Sequence, residues 1–267
     1  MLKKRVITAL WGVPLVLLAI WFDGPLPWFT ILMAVWGLLA AWEFYRMTGV
    51  TGNRPLAYFG LAWVLFFIIH PHFDYDLTLP MLLTSAVALS LALLLVLPKK
   101  EGAATGWAWT MAGILYVGWL LSLLVALRIE AGRGWVYLAL LATFGSDTAA
   151  YFIGRAFGRH KLAPRISPGK TWEGAVGGLL GAVIISLLFT LPTPVQLPLE
   201  YVEAVLLGLL ISAAGQVGDL AESLLKRNAG VKESGGLLPG HGGLLDRMDS
   251  ILFAGAVVYA TLFLLGR

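Results

Sequence analysis

The sequence predicts an all-α fold: a polytopic integral membrane protein with about nine transmembrane helices and a cytoplasmic N-terminus. Three observations lead there. Hydrophobic residues make up 59% of the chain and charged residues only 13%, and the mean hydropathy is +0.83. Apolar runs approaching the ~20 residues that a helix needs to cross a bilayer recur along the whole length. The basic residues are also segregated. With the N-terminus inside, all of the 19 Lys and Arg except Arg128, Arg133 and Arg267 fall in cytoplasmic segments, as the positive-inside rule requires. The pI near 9.4 follows from that bias and needs no nucleic-acid partner. With no cysteine, disulfides, thiolate nucleophiles and Cys-ligated metals are excluded.

The spans are expected at 6–22, 27–48, 56–70, 77–97, 104–127, 135–157, 172–191, 199–225 and 249–265. The first follows Lys3-Lys4-Arg5, as a signal peptide would. Trp21-Phe22-Asp23-Gly24-Pro25 then replaces a small-residue cleavage site, so the helix is retained. The second carries Glu43 near its end, placed here at the cytoplasmic interface. The third is short enough to be tilted or partial. The first five spans are nearly free of charge, and Trp11, Trp21, Trp28, Trp42, Trp107 and Trp119 mostly lie near span ends, where indoles favour the interface. The outer loops are short: Asp23 to Pro25, His70 to Asp76 and Pro192 to Pro198. His70 and His72 flank Pro71 in a solvated turn. Residues 1–130 thus form N-terminal helices for lipid contact and packing. Residues 131–267 form a second region, with cytoplasmic loops 158–171 and 226–248.

The chemistry is crowded into that second part. Span six contains Ser146 and Asp147, and an intramembrane carboxylate is a functional candidate by default. Asp147, Tyr151, Gly154 and Arg155 share one side of it. Ser167-Pro168-Gly169-Lys170-Thr171 then precedes span seven, and hydroxyls, free N–H groups and a Lys at a helix N-terminus suit an anion. The spacing is not that of a P-loop. Gly174, Gly177, Gly178 and Gly181 give span seven a small-residue stripe for close packing. In span eight Asp219, Glu222, Ser223 and Lys226 fall at i, i+3, i+4 and i+7, on one face. A Gly-rich loop follows, and Asp246 and Asp249 open span nine. Two sets of carboxylates with Lys226-Arg227 and His241 between them suit polyphosphate and Mg²⁺, a hard cation that takes carboxylate and phosphate oxygens.

From Ser223 to Asp249 the chain resembles the signature of the CDP-diacylglycerol synthases, or phosphatidate cytidylyltransferases. The matching residues are Ser223, Lys226-Arg227, Lys232-Glu233, Gly235, Pro239, His241-Gly242-Gly243 and Asp246-Arg247-Met248-Asp249. The resemblance extends upstream to Ser146-Asp147, Gly154-Arg155 and the stretch from Ser167 to Gly174, and covers the C-terminal half. Glu233 departs from it, standing where the family usually has Asp. The resemblance implies an all-helical membrane enzyme that makes CDP-diacylglycerol and pyrophosphate from CTP and phosphatidic acid, with one or two Mg²⁺ ions, as a homodimer. It implies a place in the bacterial inner membrane, with the site facing the cytoplasm.

On that basis Asp219, Lys226, Asp246 and Asp249 are the expected catalytic residues, with Asp219, Asp246 and Asp249 holding metal. Asp147, Arg155, Ser167, Lys170, Thr171, Ser223, Arg227, His241, Gly242, Gly243 and Arg247 are expected to bind substrate. A phosphate of the lipid is already nucleophilic, so the task is to juxtapose two polyanions and stabilise charge on the α-phosphoryl and departing pyrophosphate. Blander roles compete. Asp219 with Lys226 would serve as an ion pair, Asp246 and Asp249 as helix N-terminal charge, and Glu222 as a partner of Arg227. Two other functions fit part of the pattern: a transporter, and a CTP-dependent polyprenol or phytol kinase.

Overall fold

The computed structural model describes residues 2–22, 24, 26–73, 78–97, 101–237 and 242–266. Lys99, Lys100, Arg267 and residues 74–76 of the His70–Asp76 loop, on which part of the predicted topology rests, lie outside the described residues. So do Pro239 and His241 of the signature.

The chain runs through helices α1 (Leu2–Trp21), α2 (Trp28–Met47), α3 (Arg54–Ile69), α4 (Thr78–Val96) and α5 (Ala103–Ala131). It continues through α6 (Arg133–Phe157), α7 (Trp172–Leu188), α8 (Tyr201–Asn228) and α9 (Leu245–Leu264). Among the described residues seven helices, α2 to α6 with α8 and α9, are long and apolar enough to cross a membrane. Leu10–Trp21 and Trp172–Leu188 are shorter apolar helices. The 17 residues of α7 rise about 25 Å, somewhat less than a ~30 Å hydrocarbon core. Leucines and other large apolar side chains stand exposed along these helices, among them Leu95, Val96, Ile184, Leu206 and Phe263. Such a surface suits lipid, not water.

Two features go beyond the expected helices. Helix α5 is wound as a π-helix over Ile114–Trp119 and again over Leu127–Ala131. It stops at Gly132, whose φ of 92° is closed to ordinary L-residues. The loop expected at 158–171 contains a two-stranded antiparallel hairpin, β1 (Lys161–Ala163) with β2 (Ser167–Thr171), pairing Lys161 with Thr171 and Ala163 with Ser167.

The chain divides into two compact units: Met1–Ile129 with Glu233–Asp246, and Glu130–Lys232 with Arg247–Arg267. In the first, Phe44 and Tyr45 of α2 are fully buried. Tyr45 fits against Gly60 of α3 and Gly113 of α5, and its hydroxyl donates to the Thr110 carbonyl at 3.0 Å. Phe44 meets the rings of Trp109 and Tyr116, each at 6.0 Å between centroids. In the second unit α7 packs between α6 and α8 through small residues. Gly177 lies against Ile153, Gly181 against Gly145 and Ala149, and Gly208 against Val183. The Ser146 and Ser212 hydroxyls are 2.7 Å apart, and Gln216 donates to Ser212 and to the Ala175 carbonyl. Close backbones and side-chain hydrogen bonds are how helices associate where lipid removes the hydrophobic driving force.

Candidate active site

In the second unit the hairpin is fastened to α8 by two basic side chains. Lys170 Nζ lies 2.7 Å from Asp219 Oδ2. Arg227 donates through Nε to the Ile166 carbonyl at 3.3 Å, and through Nη1 to Val231 at 3.4 Å. The base of the hairpin is closed by Glu173, which accepts from the His160 backbone and meets the His160 ring at 2.6 Å. Glu173 was not among the predicted site residues. Its position in the first turn of α7, where an acidic side chain favours the helix dipole, was the available signal.

Helix α8 presents its charged face as the spacing predicts. Ser223 donates to Asp219 Oδ1 at 3.3 Å. Glu222 is fully buried and ion-paired with Lys226, itself only 12% exposed in its side chain. The expected pairing of Glu222 with Arg227 is therefore corrected: i,i+4 spacing brings Lys226 onto Glu222, while Arg227 turns to the hairpin. Asp219 forms its ion pair with Lys170.

The remaining carboxylates of this unit stand within reach of the same charges. Asp219, Lys170 and Arg247 act electrostatically on Asp147, and Asp219, Lys226 and Asp147 act on Asp249. Asp249 is buried and accepts from the Ser250 N–H at 2.7 Å. Gly218, immediately before Asp219, lies against the Asp249 backbone and the Phe253 ring, which sets α8 and α9 close together. Arg155 is exposed and donates to the Tyr151 hydroxyl at 2.9 Å. The Thr171 hydroxyl caps α7 by accepting from the Gly174 N–H at 3.1 Å. Ser167 opens strand β2.

The first unit holds the other half of the signature. Gly242 takes a φ of 82°, open only to glycine without strain. Asp246 Oδ2 accepts from the Ser234 N–H at 3.1 Å and the Gly243 N–H at 2.9 Å, so it ties together the two arms of the Gly-rich loop. Glu43 is buried at 3% exposure, and its Oε2 accepts from the Ser234 hydroxyl at 3.2 Å and the Leu245 N–H at 3.0 Å, contacts with the Gly-rich loop that sequence reasoning missed. Nothing local in α2 reveals this, because Ser234 lies 191 residues further along. His241, the remaining expected ligand of the loop, lies outside the described residues.

The donor set fits a hard cation, since Asp147, Asp219 and Asp249 offer oxygen only and the chain has no cysteine. Among the described residues, no group of three or more His, Cys, Asp or Glu side chains is placed to hold one ion. What the second unit brings together is a mixed cluster: three carboxylates with Lys170, Lys226 and Arg247. Its charges balance, so its basic groups can each meet a phosphate oxygen, while net compensation of a polyphosphate would need an added cation.

A membrane helix bundle bearing this cluster defines a class, and comparison with known proteins specifies it. The chain matches the model of the cytidylyltransferase family over residues 3–265 and belongs to that family. It is 34% identical to the phosphatidate cytidylyltransferase of Bacillus subtilis (strain 168), covering 98% of each chain. It is 37% identical to the phosphatidate cytidylyltransferase of Brucella suis biovar 1, over 97% of this chain and 92% of that one. The phosphatidate cytidylyltransferase of Pseudomonas aeruginosa is also 37% identical, over 100% of this chain and 98% of its own.

Proposed function

We propose that this chain transfers the cytidylyl group of CTP to phosphatidic acid, giving CDP-diacylglycerol and pyrophosphate for phospholipid synthesis. Membership of the cytidylyltransferase family and full-length likeness to several phosphatidate cytidylyltransferases support it. In the reaction a phosphate oxygen of the lipid attacks the α-phosphorus of CTP. A phosphoanhydride forms between the two, and the bond to the β-phosphate oxygen breaks, with pyrophosphate carrying away the electron pair.

The observation that carries the reading is the convergence of Lys170, Lys226 and Arg247 with Asp147, Asp219 and Asp249 in the second unit. Lys170, on the hairpin, takes the nucleotide side. Lys226 holds positive charge in a largely buried position and stabilises the charge that grows on the transferred phosphoryl. Arg247, exposed at the start of α9, and Arg155 on α6 remain accessible to phosphate. Asp219 and Asp249 would hold Mg²⁺, with Asp246 assigned as a further ligand by its place in the signature. When bound, Mg²⁺ neutralises phosphate charge and orients the triphosphate.

The same proposal places the protein in a bacterial inner membrane, with the site facing the cytoplasm and the chain working as a homodimer. The positive-inside bias supports the orientation, and the homodimer rests on family resemblance alone. Purified protein incubated with CTP, phosphatidate and Mg²⁺ should yield CDP-diacylglycerol and pyrophosphate. A lipid phosphate together with CDP would identify a kinase instead, and unchanged substrates would return the transporter.

A further inference from the structure

We propose that Glu43, on α2 in the N-terminal half, is a positioning residue for the reaction. Its buried carboxylate clamps the two arms of the Gly-rich signature loop and so fixes Asp246. The proposal rests on the functional reading above, but its structural readout does not.

The geometry is specific. Glu43 Oε2 accepts from the Ser234 hydroxyl on one arm and from the Leu245 N–H on the other. Asp246 Oδ2 joins the same two arms through the Ser234 and Gly243 N–H groups. Ser234 is thus held twice, by its hydroxyl to Glu43 and by its backbone to Asp246. The Glu43 carboxylate also occupies the space that side chains would need at Gly235 and Gly243, and a Cβ at either position would collide with it. These two glycines therefore allow the loop to close over an acid, in addition to any approach to phosphate. Carboxylate burial is expensive unless the group is used. Glu43 Oε1 is buried and has no hydrogen-bond partner among the described residues. Simple packing would have been served by an apolar side chain in this otherwise hydrophobic stretch of α2, beside the fully buried Phe44 and Tyr45.

The test combines kinetics with a local probe in the full-length, detergent-purified protein. A spin label is attached at Leu237→Cys, an exposed loop position in a chain without cysteine. Glu43→Ala should release the loop, raising label mobility and lowering kcat at least about tenfold while KM for CTP changes little. Glu43→Gln keeps an acceptor oxygen and should recover most of both. Ser234→Ala removes one of the two bonds and should fall between. It also serves as the test if Glu43→Ala does not fold. A role in stability alone predicts otherwise: a lower melting temperature, with kcat of the folded protein and label mobility unchanged. That result, in Glu43→Ala or in Ser234→Ala, overturns the proposal. If mobility rises but the wild-type protein forms no CDP-lipid, the clamp stands and the assigned reaction falls.

Discussion

Lys170 Nζ and Asp219 Oδ2 stand 2.7 Å apart, joining the hairpin before α7 to the charged face of α8. Their side chains are 25% and 34% exposed, so solvent screens the pair and its worth in stability is small, about 0–1 kcal/mol. A contact that contributes so little to folding is better understood as a latch. A polyphosphate arriving at Lys170 would compete with Asp219 for the ammonium and leave the carboxylate available.

Lys170→Ala should therefore raise KM for CTP several-fold while kcat and melting temperature stay nearly constant. Steady-state kinetics with varied CTP at saturating phosphatidate measures this. Wild-type CTP dependence in the variant would remove the hairpin from the site.

The buried pair on α8 should behave in the opposite way. Glu222→Ala leaves the Lys226 charge in a largely buried place without its carboxylate, and should destabilise the protein by about 3–5 kcal/mol. Replacing both, as Glu222→Leu with Lys226→Met, should restore much of that stability but not turnover. Lys226→Ala alone should cut kcat/KM at least about tenfold. Melting curves beside product formation separate the two effects, and a fully active double variant would show that Lys226 serves only the fold.

The orientation is testable because the chain has no cysteine. Single cysteines should go at Gly169 and Gly236, where an added Cβ meets nothing within 4 Å. Gly158 is unsuitable, since a side chain there would strike the Gly154 carbonyl and Thr171. Both labels should react only from the cytoplasmic face in oriented vesicles. Reaction from the outer face alone would reverse the assigned topology.

Much of this arrangement was legible because it is local. The i,i+4 relation that joins Asp219 to Ser223, and the small-residue stripe of α7, follow from helical periodicity once a helix is assumed. The hairpin was not legible, because Ser167-Pro168-Gly169 reads as a turn and its strands are only three and five residues long. Glu222's pairing with Lys226 at i+4, rather than with Arg227 at i+5, was legible by the same periodicity and was missed. Glu43 was beyond reach altogether, since a lone acid in an apolar run gives no hint of a serine 191 residues away.

The carboxylates give the last prediction. Asp219, Asp246 and Asp249 each use an oxygen within the protein: Asp219 toward Ser223, Asp246 toward Ser234 and Gly243, and Asp249 toward Ser250. Asn keeps an acceptor oxygen for each of those bonds and removes one negative charge. Asp219→Asn, Asp246→Asn and Asp249→Asn should then insert and melt much as the wild type does, yet each should lose most activity. Pairs of these changes should lose little more than the worse single change, because residues serving one step are not additive. Raising Mg²⁺ should partly rescue the mildest variant, since oxygen donors and phosphates suit that ion. Direct Mg²⁺ titration of the purified variants by calorimetry gives a readout independent of turnover, and each should bind more weakly. If the carboxylates serve only to hold loop and helix ends, the Asn variants that fold would turn over CTP normally with unchanged Mg²⁺ dependence. That outcome would take the metal away from these three residues and leave Asp246 as a loop anchor beside Glu43.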